Sequence, residues 1–194
     1  MTRTGEMTRE TSETSIRCRV DLDGNGQAEV KTGLGFLDHM LGTLAKHGGL
    51  DLELVADGDT HIDDHHTVED CALVLGRSLE QALGDRAGIT RFGYAYAPLD
   101  ESLCRAVVDL SGRPWPEISI QFVRETIGEV ATENLTHFLR TLALESRMAL
   151  HVDLIRGDND HHKAEAAFKA VAIALRSAVA MSGVGTPSTK GTLG

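Results

Sequence analysis

The sequence has few of the features that mark secreted or membrane proteins. Its three cysteines, Cys18, Cys71 and Cys104, are odd in number and widely spaced, so neither a disulfide framework nor a cysteine-based zinc site is predicted. No stretch approaches the roughly 18 apolar residues that a bilayer span requires. The N-terminal segment MTRTGEMTRETSETS also lacks the apolar region of a signal peptide. These absences predict a cytoplasmic protein that binds no membrane.

Basic residues are also scarce. The 194 residues include 19 Lys and Arg against 29 Asp and Glu, which gives a net charge of −10. Such a balance argues against binding to a phosphate backbone, so no nucleic-acid partner is expected. Aromatic residues make up only 4% of the chain, whereas histidine occurs nine times. The abundance of histidine is the first indication of chemistry.

The chain repeats itself. Residues 38–45, DHMLGTLA, match residues 136–143, THFLRTLA, at five of eight positions. Farther along each half, HHTVE at 65–69 is echoed by HHKAE at 161–165. Six of the nine histidines therefore occupy matched positions about half a chain apart. This pattern predicts a duplicated domain.

Each half follows the same order of predicted elements, ββαβα, which indicates an α+β fold with sheets covered by helices. The predicted strands lie at residues 15–22, 28–32 and 50–56, and at 91–97, 102–110, 117–122 and 150–155. The predicted helices lie at 37–47 and 134–146, and from each HHxxE motif to about Leu83 or Met181. The predicted organisation is a polar N-terminal tail (1–10), a first repeat (11–88), a second repeat (89–182) and a Gly-rich substrate-binding tail (183–194).

The histidine pattern predicts two metal ions. On a helix, residues i and i+4 share a face, so His65 can converge with Glu69 on one ion, as can His161 with Glu165. The adjacent histidines are turned by about 100° around the helix axis and point to a second ion. Adding the lone histidines of each half gives six imidazoles and two carboxylates, enough for two sites of three His and one Glu. The full set is His39, His65, His66, Glu69, His137, His161, His162 and Glu165.

Imidazole and carboxylate ligands without thiolate suit Mn, Fe, Co, Ni or Zn. Octahedral coordination would leave two positions for water or substrate, which is typical of a catalytic site. The neighbouring acids Asp63, Asp64, Asp158 and Asp160 are candidates to orient the rings. Three other interpretations stay open at this point: exposed histidines at helix starts, a metal storage or delivery protein, and a metallohydrolase with a metal-bound water.

Four motifs resemble a known family. They are FLDHM (36–40), DHHTVED (64–70), DNDHHKAEAAFKA (158–170) and PSTKG (187–191). In this order and spacing they resemble the imidazoleglycerol-phosphate dehydratases of histidine biosynthesis, from about Glu10 to the C-terminus. The resemblance implies dehydration of D-erythro-imidazole glycerol phosphate to imidazole acetol phosphate. It also implies a duplicated fold like domain 2 of ribosomal protein S5, two Mn²⁺ per active site, and a 24-subunit homo-oligomer with sites at subunit interfaces.

The resemblance also assigns residues to roles. One ion would be held by His65, Glu69, His137 and His162, and the other by His39, His66, His161 and Glu165. The candidate catalytic acid or base is Glu13, with Glu165 and His47 as further candidates. The substrate and its phosphate would contact Glu13, His39, Arg91, Arg113, Lys169, Ser188 and Lys190.

The implied reaction has a difficulty that suggests a mechanism. The proton that leaves lies on a carbinol carbon with no adjacent carbonyl, so the imidazole ring itself must be activated. We hypothesise that both ring nitrogens coordinate metal, giving an imidazolate that expels the hydroxyl to form a diazafulvene-like intermediate. Such a bridging ring would hold the ions farther apart than the roughly 3.5–4 Å of hydroxide-bridged pairs.

Overall fold

The computed structural model describes residues 3–183 and 185–193. None of the helices in these two stretches is long and apolar enough to cross a membrane. The first half contains β1 (Thr4–Glu10), β2 (Thr14–Asp21), β3 (Ala28–Lys31), α1 (Gly35–Gly48), β4 (Asp51–Gly58) and α2 (His65–Leu83). The second contains β5 (Phe92–Leu99), β6 (Ser102–Asp109), β7 (Trp115–Ser119), β8 (Thr126–Ile127), β9 (Val130–Ala131), α3 (Thr132–Glu145), β10 (Ala149–Arg156) and α4 (Asp160–Val179).

The two halves have the same topology, which confirms the predicted duplicated α+β fold. Their sheets have the strand orders β1-β2-β4-β3 and β5-β6-β10-β7. In each sheet the first three strands are antiparallel neighbours and the last pair, β3 with β4 or β7 with β10, is parallel. The short β8–β9 hairpin is an addition of the second half.

In each half, three strands of the four-stranded sheet precede the first helix. The predicted order ββαβα therefore has one strand too few. The predicted polar tail at residues 1–10 is also wrong where Thr4–Glu10 forms β1, which pairs along its whole length with β2. Its alternate side chains are exposed and polar because β1 is an edge strand, and only Gly5 is fully buried. Polar edge strands lack the alternating apolar signal by which strands are recognised.

The helices of the two halves pack against each other across the molecule. Helix α2 covers the first sheet and α4 covers the second, while α1 packs on α4 and α3 packs on α2. The rings of Phe138 and Phe168 meet with centroids 5.7 Å apart, joining α3 to α4. This exchange places the lone histidine of each half beside the HHxxE motif of the other half.

Two glycines at matched positions allow the edge strands to approach the helices. A Cβ at Gly5 would lie 1.9 Å from the Ser78 carbonyl oxygen on α2, and one at Gly93 would lie 1.9 Å from the Ala174 carbonyl oxygen on α4. Both neighbours are helix backbone and cannot rotate away. The second residue of β1 and the second residue of β5 therefore both have to remain glycine.

Replacing Gly93 by Ala should lower the free energy of unfolding by about 1–3 kcal/mol, the usual cost of overpacking a tight site. The control is Gly42→Ala in α1, where an added Cβ meets nothing within 4 Å, and there helix propensity predicts a gain of up to about 1 kcal/mol. Urea unfolding at one fixed protein concentration measures both. Equal stabilities for the two variants would contradict the close approach of β5 to α4.

The C-terminal segment runs along the junction between the halves. The N–H of Gly88 donates to the Gly185 carbonyl at 2.7 Å, and the N–H of Ser182 donates to the Gly88 carbonyl at 2.8 Å. Ile89 and Met181 form a β-bridge beside them. The segment after α4 is thus held next to Arg91, where the second repeat begins.

Candidate metal centre

The first candidate ligand cluster lies between α2 and α3 and consists of His65, Glu69 and His137 (the His65 cluster). Helix α2 begins at His65, whose backbone N–H donates to the Asp63 carboxylate at 2.9 Å. Because both residues belong to this helix, His65 and Glu69 lie one turn apart. Glu69 lies between two imidazoles: its Oε2 is 3.7 Å from His65 Nε2, and its Oε1 is 3.0 Å from His137 Nε2.

The second cluster repeats this arrangement between α4 and α1 and consists of His39, His161 and Glu165 (the His161 cluster). Asn159 caps α4 by accepting the backbone N–H of His161 at 2.9 Å. Oxygen Oε2 of Glu165 lies 3.1 Å from His39 Nε2 and 3.3 Å from His161 Nε2. In both clusters the three ligand atoms lie within 4.8 Å of one another.

The donor set of each cluster fits a divalent transition metal. Two imidazole nitrogens and a carboxylate oxygen, with no thiolate, are the ligands that Mn, Fe, Co, Ni and Zn share. In the His65 cluster, Nδ1 of His65 lies 3.0 Å from the Asn134 side-chain oxygen. An acceptor at this position favours the tautomer with the proton on Nδ1, which leaves the Nε2 lone pair for a metal, the usual arrangement of a metal-bound histidine.

His66 and His162 lie outside the clusters of their own chain. Ring centroids of His65 and His66 are 6.1 Å apart, and those of His161 and His162 are 6.2 Å apart, with the planes nearly perpendicular in both pairs. The adjacent histidines therefore point away from each other, as the helix geometry predicts. Within one chain, the structure brings together three of the four ligands predicted for each ion.

Carboxylates hold these two outer histidines by their Nδ1 atoms. Nδ1 of His66 is 3.0 Å from Asp59 Oδ2, and Nδ1 of His162 is 2.7 Å from Glu101 Oε2. The hydrogen bond to Asp59 raises the pKa of His66, and the bond to Glu101 raises the pKa of His162. Because the carboxylates contact Nδ1, Nε2 is the atom of each ring that remains to bind a metal after it loses its proton.

The acids predicted to orient the rings have another task. Asp64 Oδ2 accepts the backbone N–H of Ala131 at 2.9 Å, and Asp160 Oδ2 accepts those of Val123 and Arg124 at 2.8 and 2.6 Å. Asp64 thereby connects the segment before α3 to the start of α2, and Asp160 connects it to the start of α4. The prediction for Asp64 and Asp160 is therefore wrong: Oδ2 of each carboxylate accepts backbone N–H groups, and Oδ1 of Asp160 accepts the Lys163 ammonium at 2.7 Å.

The residues that do orient the rings were not found by sequence analysis. Asn134, Asp59 and Glu101 lie 69, 7 and 61 positions from the histidines that they contact. The repeat could have indicated Glu101, because it follows the first strand of the second half as Glu13 follows the first strand of the first half. Asn134 and Asp59 gave no such signal, because only the packing of α3 on α2 and the path after β4 bring them near.

Glu13 lies in the turn between β1 and β2, beside His66. Its Oε2 is 3.8 Å from His66 Nδ1, and its side chain is 52% exposed. The turn is fixed by Thr11, whose Oγ1 accepts the backbone N–H groups of Glu13 and Thr14 at 3.1 and 2.9 Å. Buried Asp70 in α2 in turn accepts the Thr14 hydroxyl at 2.5 Å. Glu13 is therefore a half-exposed carboxylate on a rigid turn.

Glu165 and His47 both lie close to Lys169, at the His161 cluster. The Lys169 ammonium is 2.7 Å from Glu165 Oε1. Burial alone would raise the pKa of Glu165, but Lys169 and His39 together lower it to about 2. An acid that is ionised at neutral pH suits a metal ligand better than a proton donor. Burial, followed by the charge of Lys169, lowers the pKa of His47, which favours its neutral form.

The five residues predicted to bind phosphate do not form one group in a single chain. The Arg91 guanidinium pairs with both oxygens of Asp109, at 2.7 and 3.1 Å, and donates to the Pro187 carbonyl at 2.9 Å. It thereby lies next to Ser188, whose Oγ accepts the backbone N–H of Lys190 at 3.2 Å. The other two residues lie elsewhere: Arg113 is exposed between β6 and β7, and Lys169 is beside the His161 cluster.

The sequence is similar to a family of known proteins over most of its length. The sequence profile of the family described as imidazoleglycerol-phosphate dehydratase matches residues 32–175. A protein of that name from Methanothermobacter thermautotrophicus is 51% identical over 186 residues, covering 96% of this chain and 95% of the relative. Another, from Gluconobacter oxydans, is 54% identical and covers 95% of both. A third, from Phytophthora nicotianae, is 56% identical over 98% of this chain, which spans 42% of that longer protein.

Solved structures share the fold over nearly the whole chain. The imidazoleglycerol-phosphate dehydratase of Staphylococcus aureus superposes with a TM-score of 0.84 at 36% identity, covering 92% of this chain and 99% of that one. The enzyme from Pyrococcus furiosus, solved in complex with (S)-C348, gives 0.83 at 35% identity and covers 96% and 100%.

The duplicated fold and these relatives place the chain among the dehydratases, enzymes that remove water from their substrates. The chain belongs to the imidazoleglycerol-phosphate dehydratase family, which acts in histidine biosynthesis.

Proposed function

We propose that this chain dehydrates D-erythro-imidazole glycerol phosphate to imidazole acetol phosphate in the cytoplasm, using two Mn²⁺ per active site. The observation that carries the proposal is the pair of matched clusters, each with two imidazoles and one carboxylate whose ligand atoms lie within 4.8 Å of one another. A storage protein or a hydrolase would also bind metal, but family membership favours the dehydratase.

The His65 and His161 clusters would hold the two metals, which would supply Lewis-acid stabilisation of negative charge on the substrate ring. The hydroxyl on the carbon attached to the ring would leave as water, together with the proton given up by a ring nitrogen. Loss of the proton from the neighbouring carbon yields an enol, which tautomerises to the ketone. The Glu13 carboxylate accepts that proton, since its Oε2 lies 3.8 Å from His66, a ligand in our assignment. Neutral His47 is the second candidate for this step.

A neighbouring subunit completes each ligand set in this proposal. His162 of one chain would join the His65 cluster of another, and His66 would join the His161 cluster. Support comes from their placement outside the clusters of their own chain, with Nδ1 fixed by a carboxylate and Nε2 left as the ligand atom. Sites shared in this way require a homo-oligomer, which the family resemblance gives as a 24-mer.

The substrate phosphate is assigned to the Arg91 region in this proposal. Ser188 and Lys190 offer a hydroxyl and an ammonium next to Pro187, which the Arg91 guanidinium holds at 2.9 Å. Arg113 and Lys169 complete the predicted set, and they would reach the same phosphate only if different subunits contribute them. A local group of cations is needed, since the chain as a whole carries a net charge of −10.

The direct test is enzymatic. Metal-stripped protein is mixed with imidazole glycerol phosphate, with and without Mn²⁺, and formation of the acetol phosphate is followed. We expect turnover only when metal is present. Stoichiometric metal binding without product, in folded protein, would favour the storage or hydrolase interpretation instead.

Glu13→Gln should leave the metal content unchanged and lower kcat by roughly 10²–10⁴-fold, the usual contribution of a general acid or base. The matched control is Glu10→Gln, at the exposed end of β1, which should turn over normally. Metal analysis and steady-state rates measure both effects. Normal turnover by Glu13→Gln would exclude this carboxylate from the mechanism.

Lys190→Ala should raise KM by roughly tenfold or more, because it removes a charged hydrogen bond to phosphate, and kcat should change less. Lys31→Ala, which removes an exposed lysine paired with Glu29, serves as the control. An unchanged KM in Lys190→Ala would contradict the assignment of this segment to phosphate.

A further inference from the structure

The two clusters are related by the repeat, but their carboxylates have different surroundings. Glu165 is bound on both sides: Oε2 faces the two imidazoles, and Oε1 lies 2.7 Å from the Lys169 ammonium. The Glu165 side chain is only 14% exposed. By contrast, the Glu69 side chain is 41% exposed, and its two oxygens face His65 and His137 separately.

The sequence of the repeats explains this difference. Lys169 follows Glu165 by four residues, which places both on one face of α4. The position that follows Glu69 by four residues in α2 is Leu73, an apolar side chain packed at the edge of the core. A lysine therefore occurs at the His161 cluster, where the repeat places a leucine at the His65 cluster.

We infer that the two clusters differ in metal affinity, with Lys169 making the His161 cluster the weaker site for a divalent cation. This inference rests on the proposed function, in which both clusters bind metal. Lys169 weakens binding in two ways. Its charge repels the cation, and it occupies Oε1, so Glu165 offers a single oxygen while Glu69 can offer two.

The groove beside the His65 cluster has one acidic and one basic side chain, so its formal charges sum to zero. These side chains are Glu133 and Arg140, and Arg140 donates to the Ile118 carbonyl. The Lys169 ammonium lies on one oxygen of Glu165 and the cation would lie on the other, so water-screened repulsion between them should weaken binding by about tenfold.

The test is a titration of metal-stripped protein with Mn²⁺, followed by the electron paramagnetic resonance signal of the free ion. We expect two ions per chain, with dissociation constants about tenfold apart. Lys169→Leu, which copies Leu73, should strengthen the weaker site and bring the two constants within about threefold. Lys169→Gln keeps a hydrogen-bond donor without the charge, and it should give most of the same gain if repulsion dominates.

Two further sets of variants assign and control the effect. His39→Ala should abolish the weaker class of site, and His137→Ala should abolish the tighter class. Lys31→Leu removes a positive charge that pairs with Glu29, and its two constants should match the wild type.

Equal constants in the wild-type protein would overturn the inference, as would unequal constants that neither Lys169 variant changes. In both cases the proposed metal-dependent function would stand. Protein that binds no Mn²⁺ at all would overturn the proposed function and this inference with it.

Discussion

The His137→Ala variant should lose one Mn²⁺ per chain, and its kcat should be lower by about 10³-fold or more. His137 Nε2 lies 3.0 Å from Glu69 Oε1, and the His65 cluster loses one of its three ligand atoms when this ring is removed. The stabilisation that a Lewis-acidic metal gives to developing charge is worth several kcal/mol, which corresponds to this factor in rate.

Metal analysis by mass spectrometry and steady-state kinetics measure the two effects of His137→Ala. The matched control is His151→Ala, which removes an exposed histidine of β10 that sequence analysis does not assign to the site. Circular dichroism should show both variants folded. A His137→Ala protein with full metal content and normal turnover would contradict the role of the His65 cluster.

Two inactive variants should recover activity when their subunits are mixed. His162→Ala lacks the ring that completes the His65 cluster of a neighbour, and His137→Ala lacks a ring of that cluster itself. In a mixed oligomer, a site that combines the cluster of the first variant with His162 of the second is intact. Random assembly of equal amounts should restore about a quarter of the sites and of the wild-type activity.

The experiment requires exchange of subunits, for which metal removal followed by reassembly with Mn²⁺ is suited if the ions link subunits. The control mixture combines His137→Ala with Glu69→Ala. Both variants damage the same cluster, so each possible site lacks a ligand and activity should not return. No recovery in the first mixture, despite verified subunit exchange, would show that sites are not shared between chains.

The sequence by itself determined the features that depend on local spacing. The repeated HHxxE motifs placed His65 with Glu69 and His161 with Glu165, because a helix turn brings i and i+4 together. The same geometry separated His66 and His162 from their neighbours. The duplicated α+β fold followed from the repetition of elements, with helix bounds close to those observed.

Only the tertiary structure decided which distant residues meet. Sequence spacing does not show that α1 packs on α4 and α3 on α2, and this exchange brings His39 to Glu165 and His137 to Glu69. The tertiary structure also shows β1 as an edge strand, which could not be predicted because its sequence is polar. The sequence shows that Lys169 and Leu73 differ, but only the structure shows that Lys169 contacts Oε1 of Glu165. Contacts between residues far apart in the chain arise from packing, and packing is decided by the whole fold.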